Sequence, residues 1–161
     1  MSIFSKIFGK GNSEMDPFPT RPLKLSFEIS PENGEKFAKQ FADTFKLAEG
    51  IQLDYSPDSI KLIDNFLQSQ KDEGLKVNEI AERIFLTGCY VGQVIVNNIN
   101  SSKWINVEDA NLPEGISMSA ILINIGTTVW DPISKAYKRF YNGRVDNLDS
   151  LYAVISNESI K

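Results

Sequence analysis

"GCYVGQVIVNN", residues 88–98, decides how the chain is organised. It holds the only cysteine, between two glycines four residues apart, inside an apolar run. At about 100° per residue, Val77, Ile80, Ala81, Ile84, Gly88, Val91, Gly92 and Ile95 fall on one broad face of a helix. The pattern predicts a helix over 78–98, the third in the chain. Each glycine costs a helix interior about 1 kcal/mol against alanine. Two on one face imply a compensating close approach of another segment. The membrane form of this motif needs about 20 consecutive apolar residues. Glu79, Glu82, Arg83 and Asn97 interrupt the run here, so the glycines point to tight packing inside a soluble domain.

Cys89 sits just past the edge of that face. A reactive thiol needs a cation, a helix N-terminus or a base to lower its pKa. Mid-helix it has no such activator, and it reads as small core filler. The opposite face carries Glu79, Glu82, Leu86, Tyr90, Gln93 and Asn97 at spacings of three and four. Leu86 and Tyr90 interrupt a polar stripe. Either the helix is central and packs on two sides, or the stripe binds a partner. In the second case Tyr90 is the anchor, Leu86 its apolar neighbour, and Glu79 and Glu82 the flanking charges.

Working outward, "LKLSFEI", 23–29, alternates apolar and polar residues as a strand does. In "SPENGEKFAKQFADTFKLAEG", 30–50, Ser30 can cap and Pro31 suits the first helical position. Phe37, Phe41, Phe45 and Ala48 recur at helical spacing, and Gly50 is a stop. "DYSPDSIKLIDNFLQSQKDEG", 54–74, repeats the signals with Ser56, Pro57 and Gly74. After the third helix, "KWINV", 103–107, and "SAILINIGTTVW", 119–130, are β-rich. "DPISKAYKRFYNG" then reads as a short helix capped by Asp131, and "VDNLDSLYAVIS" as a last one. Helices come early and strands late, so the class is α+β. The expected arrangement is an N-terminal strand, three helices, a small antiparallel sheet and two C-terminal helices in one domain, 23–161. Trp104 and Trp130, at the ends of β-rich segments, are core residues by default.

Residues 1–22 read as a tail or flap followed by a proline-rich linker, "MDPFPTRP". Ile3, Phe4, Ile7 and Phe8 would share one face of a short helix, too short to span a bilayer. A membrane-surface anchor there is the competing reading, but one and a half turns bury little area.

Histidine is absent from all 161 residues. This removes Ser-His-Asp and Cys-His catalysis. One cysteine and no histidine cannot fill a tetrahedral zinc shell. No EF-hand loop, GxxxxGK[ST] loop or GxGxxG turn occurs, so no cofactor or metal is expected. A single cysteine also fits a reducing compartment. The net charge of −4 points away from nucleic acid and towards neutral or basic partners.

Two weaker candidates remain. Asp54, Asp58 and Asp64 could supply the carboxylate pair of a glycosidase. Asp58 suits the first turn of its helix and Asp64 its polar side, so solvated charge is the favoured reading. Lys135, Lys138 and Arg139 form the one dense basic patch, opposite Ile133, Ala136, Tyr137 and Phe140, as on any surface helix.

Taken together, "LDYSPDSIKLIDNFL", "GCYVGQVIVNN", Trp104 and "DPISKAYKRFYNGRVDNLDSLY" resemble a family of small bacterial α+β proteins, a domain of unknown function. Some of its members are similar to immunity proteins that neutralise secreted toxins. The resemblance spans residues 50–155. An acid is expected in that pattern where Gln93 stands. It implies no catalytic residues, a cytoplasmic location and, more weakly, a toxin as protein partner; the acidic balance points to a basic one. The expectation is therefore a non-catalytic binding protein, with a carboxylate-dependent enzyme on a small or sugar-like substrate as the alternative.

Overall fold

Pro31 opens the first helical segment, as its fixed φ favours. Pro31–Asn33 form a 3-10 turn that leads into α1, Gly34–Glu49. Gly50 ends α1 in the left-handed region at φ 72°, returning its N–H to the Lys46 carbonyl. α2, Ser59–Asp72, begins where the Ser56 hydroxyl accepts the Ser59 N–H at 3.2 Å. α3 is Ala81–Asn98. These elements belong to a computed structural model that describes residues 16–160.

α3 starts three residues later than its apolar pattern suggests. Glu79 folds back to accept the Lys76 N–H at 2.8 Å, closing a separate turn before the helix. Asn78 is drawn off towards Thr20, which donates its N–H to the Asn78 side chain at 3.0 Å.

The chain then turns into β1, Ser102–Asn106, which pairs antiparallel with β2, Ile121–Ile125. β3, Thr128–Trp130, pairs with β2 in turn, and the order is β1-β2-β3. The β-rich run 119–130 is thus two strands. Gly126 at φ 59° makes the tight turn between Ile125 and Thr128. α4, Pro132–Asn142, is capped as expected: Asp131 accepts the Ser134 N–H at 2.9 Å. α5, Leu148–Ser159, starts inside the predicted segment because Asn147 takes the cap. The described residues therefore form a mixed α+β fold of five helices and one three-stranded antiparallel sheet.

The expected N-terminal strand at 23–29 is not formed. Leu23 and Leu25 do turn inward, but the segment pairs with no strand among the described residues. A ladder needs backbone partners, and this stretch lies on helices, whose backbone groups are already bonded. The Lys24 N–H goes instead to the Glu82 carboxylate at 2.8 Å. Residues 16–22, read as a linker, are docked through Pro19, which is buried, and through Phe18, edge-on to Tyr137 at 6.0 Å. The apolar residues at 3–8 lie outside the described residues.

α3 is the buried spine. Ala81, Ile84, Tyr90, Val91, Val94 and Ile95 are each 0% exposed. α1 covers one side and α4 another, with Tyr137 donating its hydroxyl to the Ala81 carbonyl at 2.7 Å. A Cβ on Gly88 would lie 2.5 Å from the Ile133 Cα, so α4 comes to the bare backbone there. Gly92 faces the six-membered ring of Trp104, and a Cβ on Gly34 would lie 2.5 Å from the same indole. Cys89 is fully buried, and burial pushes its thiol well above the usual range. It is filler, as its lack of an activator suggests.

Candidate functional site

The four residues Glu79, Glu82, Leu86 and Tyr90 do not share one environment. Tyr90 is fully enclosed, and an exposed anchor is excluded for it. Its hydroxyl accepts the Tyr55 N–H at 3.0 Å and pairs with the Ser59 hydroxyl at 2.7 Å. Its ring stacks on Tyr55 at 4.9 Å. Burial pushes its phenol up. On this half of the helix the two-sided packing reading holds. Gln93 follows suit: it is 5% exposed and accepts the Trp104 indole N–H at 3.0 Å. A neutral amide suits that role, and it donates onward to Asn97 at 2.8 Å.

The other half of the stripe is different. Glu79, Glu82 and Leu86 line one groove of about 400 Å³, walled by α1 and α2 and floored by the start of α3. Phe41, Phe45, Ala48, Phe66 and Ile80 complete its apolar lining. The rings of Phe45 and Phe66 meet edge to face at 5.3 Å, and Phe41 lies 6.4 Å from Phe66. Glu49, Glu79 and Glu82 make the rim acidic. The single cation there, Arg83, is engaged by the Gln70 side chain.

Glu82 is also the latch of the N-terminal segment. Arg21 grips it with two hydrogen bonds, at 2.6 and 2.8 Å. The Arg21 hydrogen bond, with help from the Lys24 N–H, holds the Glu82 carboxyl down at about 2. Its ordinary value is 4.5, so the folded pKa is depressed. The contribution to stability is full above the ordinary value and is lost as pH falls through about 2. The pair is partly exposed, so screening leaves about 1 kcal/mol. Urea melts of the parent and of Glu82→Gln should differ by that amount at pH 6, and the difference should shrink steadily below pH 4.5. A difference that stays constant down to pH 2.5 would show that the latch is not ionic.

The three aspartates do not form a catalytic pair. Asp54 is exposed, and the Ser56 hydroxyl and N–H hold its carboxyl low. Asp58 is exposed on the turn before α2. Asp64 is not solvated, contrary to its place on the polar side of α2: it is 4% exposed and accepts from Arg139 at 2.8 and 3.1 Å. The Leu148 N–H adds a third bond at 2.9 Å. Arg139, read as surface charge, is 0% exposed. The basic patch is therefore broken up, with Lys135 bound to Asp146 at 2.9 Å and Lys138 alone of the three exposed. α5 and the turn before it fold back over the polar faces of α2 and α4, and a single helical wheel does not contain that event.

A second hollow, of about 620 Å³, lies between α1 and the end of α3. It is lined by Glu32, Glu35, Asp43, Lys36 and Lys39 around Tyr55, Gln93 and Asn97. Tyr55 holds φ 60°, pinned by Tyr90 on its N–H and by Asn98 on its carbonyl. The carboxylates here are all exposed, and Asp64 is the one buried carboxylate among the described residues. Nothing in this hollow keeps an acid out of water, as a general acid near neutral pH requires. Among the described residues no group of three or more acidic, cysteine or histidine side chains could hold a metal ion, and no helix is long and apolar enough to cross a membrane. Comparison with protein-family models, curated proteins and solved structures finds no match for this chain.

Proposed function

We propose that this chain is a non-catalytic binding protein of the bacterial cytoplasm that neutralises a basic protein toxin by occlusion, as immunity proteins do. The observation that carries this reading is the groove between α1, α2 and α3. It has phenylalanine-lined walls, a rim of three glutamates to one arginine and, among the described residues, no buried pair of carboxylates beside it. Apolar anchors in a water-excluding recess give affinity, and a rim with an excess of one sign steers an oppositely charged partner. The net charge of −4 acts in the same direction.

Surface plasmon resonance against the products of the genes on either side of this one tests this. Leu86→Asp places a charge on the apolar floor and should weaken binding at least tenfold, about 1.4 kcal/mol. Glu79→Lys should mainly slow association and reduce its dependence on salt. Tyr90→Ala, by contrast, should act through stability, because that ring never reaches the partner. If no neighbouring product binds and the protein turns over a small polar substrate, the carboxylate enzyme replaces this reading.

A further inference from the structure

The groove is long rather than round. Its α1 wall runs from Phe41 to Glu49, nine residues, or about 12 Å and just over two helical turns. Phe45, Glu49 and Phe66 are shared with an adjoining hollow of about 210 Å³, which brings in Ile51, Leu62, Asn65 and Ser69. Ile51 and Leu62, 40% and 42% exposed, are surface apolar side chains outside the core. An apolar strip thus continues from Leu86, over the phenylalanine rings, to the start of the α1–α2 connection.

The walls are helices, and this determines what can bind. An extended peptide gains affinity mainly from main-chain hydrogen bonds to an open sheet edge. Helix backbones bond internally, so this strip offers no such ladder. A helix needs none, because its own backbone is already satisfied. It can lay side chains spaced i, i+3/i+4 and i+7 along a strip two turns long. The rim adds net negative charge: Glu49 and Glu79 are exposed beside one exposed cation, Arg83, while Glu82 is held by Arg21. Among the described residues of a second copy, neither α4 nor α5 matches. Its cationic helix, α4, buries Ile133, Ala136, Tyr137 and Phe140 in its own core. α5 carries no lysine or arginine at all.

We infer that the groove receives one amphipathic helix of a partner protein, with large apolar residues on its inner face and lysine or arginine along its flanks. This rests on the binding reading above and names the chemistry of its partner. The test uses two display libraries sorted against the full chain. One presents a single randomised helix on a helical scaffold, and the other presents linear peptides interrupted by proline. Thr44 and Ala48 line the groove from exposed positions on α1, so Thr44→Arg and Ala48→Arg block it without entering the core.

Enrichment should come from the helical library, with apolar residues at i, i+4 and i+7 and basic residues beside them. Each arginine variant should weaken those clones at least tenfold, and binding should shift the amide resonances of Thr44, Ala48, Gln70 and Leu86. If only proline-interrupted clones bind, and the arginine variants weaken them, the helix is wrong while the groove stands. If every clone binds the arginine variants as well as the parent, or if neither library yields a binder, both the helix and the groove reading fall. Dimerisation of the parent in sedimentation velocity, lost in Ala48→Arg, would make a second copy the occupant.

Discussion

Asp64→Ala is expected to lower the free energy of unfolding by about 3–5 kcal/mol, the range for leaving one partner of a buried ion pair alone. Arg139 is 0% exposed and places its Nε and Nη2 on the Asp64 carboxylate. Removing that carboxylate leaves a buried guanidinium with only Gln68 and one backbone carbonyl as acceptors. It also leaves the Leu148 N–H at the head of α5 without its acceptor. The change therefore loosens three helices at once: α2, α4 and α5. Replacing both charges, with Asp64→Leu and Arg139→Met, should recover part of the loss, because an apolar pair of similar volume is often neutral. Recovery should be incomplete, since the Leu148 N–H still lacks a partner. Urea melts of the parent and the two variants measure this. An Asp64→Ala midpoint close to the parent's would mean that the pair is solvated, as the polar faces of α2 and α4 suggest in isolation.

The second large effect concerns the paired glycines. Gly88→Leu and Gly92→Leu should each destabilise by about 3 kcal/mol, the upper end of the overpacking range. The two sites differ in what blocks them. At Gly88 the obstacle is the backbone of α4 at Ile133, which cannot turn aside without moving the helix. At Gly92 it is the side chain of Trp104. Gly92→Ala combined with Trp104→Val should therefore be more stable than the sum of the two single changes, because the new methyl group fills space the indole vacates. No equivalent rescue exists for Gly88→Ala at Ile133. Thermal melts of the singles and the double give the coupling directly. Strict additivity at Gly92 would place the indole elsewhere.

Much of the fold is legible from local signals. Pro31, Ser56 with Pro57, and Asp131 with Pro132 mark helix starts because they act on backbone groups within one turn. Gly50 and Gly74 mark ends because a residue there takes positive φ. The burial of the Gly88–Gly92 face and the inertness of Cys89 also follow from pattern and composition. The strand at 23–29 was misleading for a physical reason. Period-two alternation shows that one side of an extended segment is covered, not that its backbone has found a neighbour. Leu23 and Leu25 are covered by helices.

The candidate site was half legible. Spacing alone places Glu79, Glu82, Leu86 and Tyr90 on one stripe, but burial depends on what covers each turn of α3. Tyr55 and Ser59 close over Tyr90, whereas the opening between α1 and α2 leaves Leu86 and the two glutamates at a groove. The latch from Arg21 to Glu82 joins residues 61 apart, and the pair of Asp64 with Arg139 joins residues 75 apart. Neither carries a local signature, because a charge on a polar face looks the same whether water or a distant partner satisfies it. Thus the sequence by itself determined the helices, the α+β class, the absence of histidine chemistry and the acidic balance, which are matters of composition and of contacts within a few residues. The tertiary structure alone decided which charges are buried, which face of α3 is sealed and where the groove opens, because those depend on segments brought together across the whole chain.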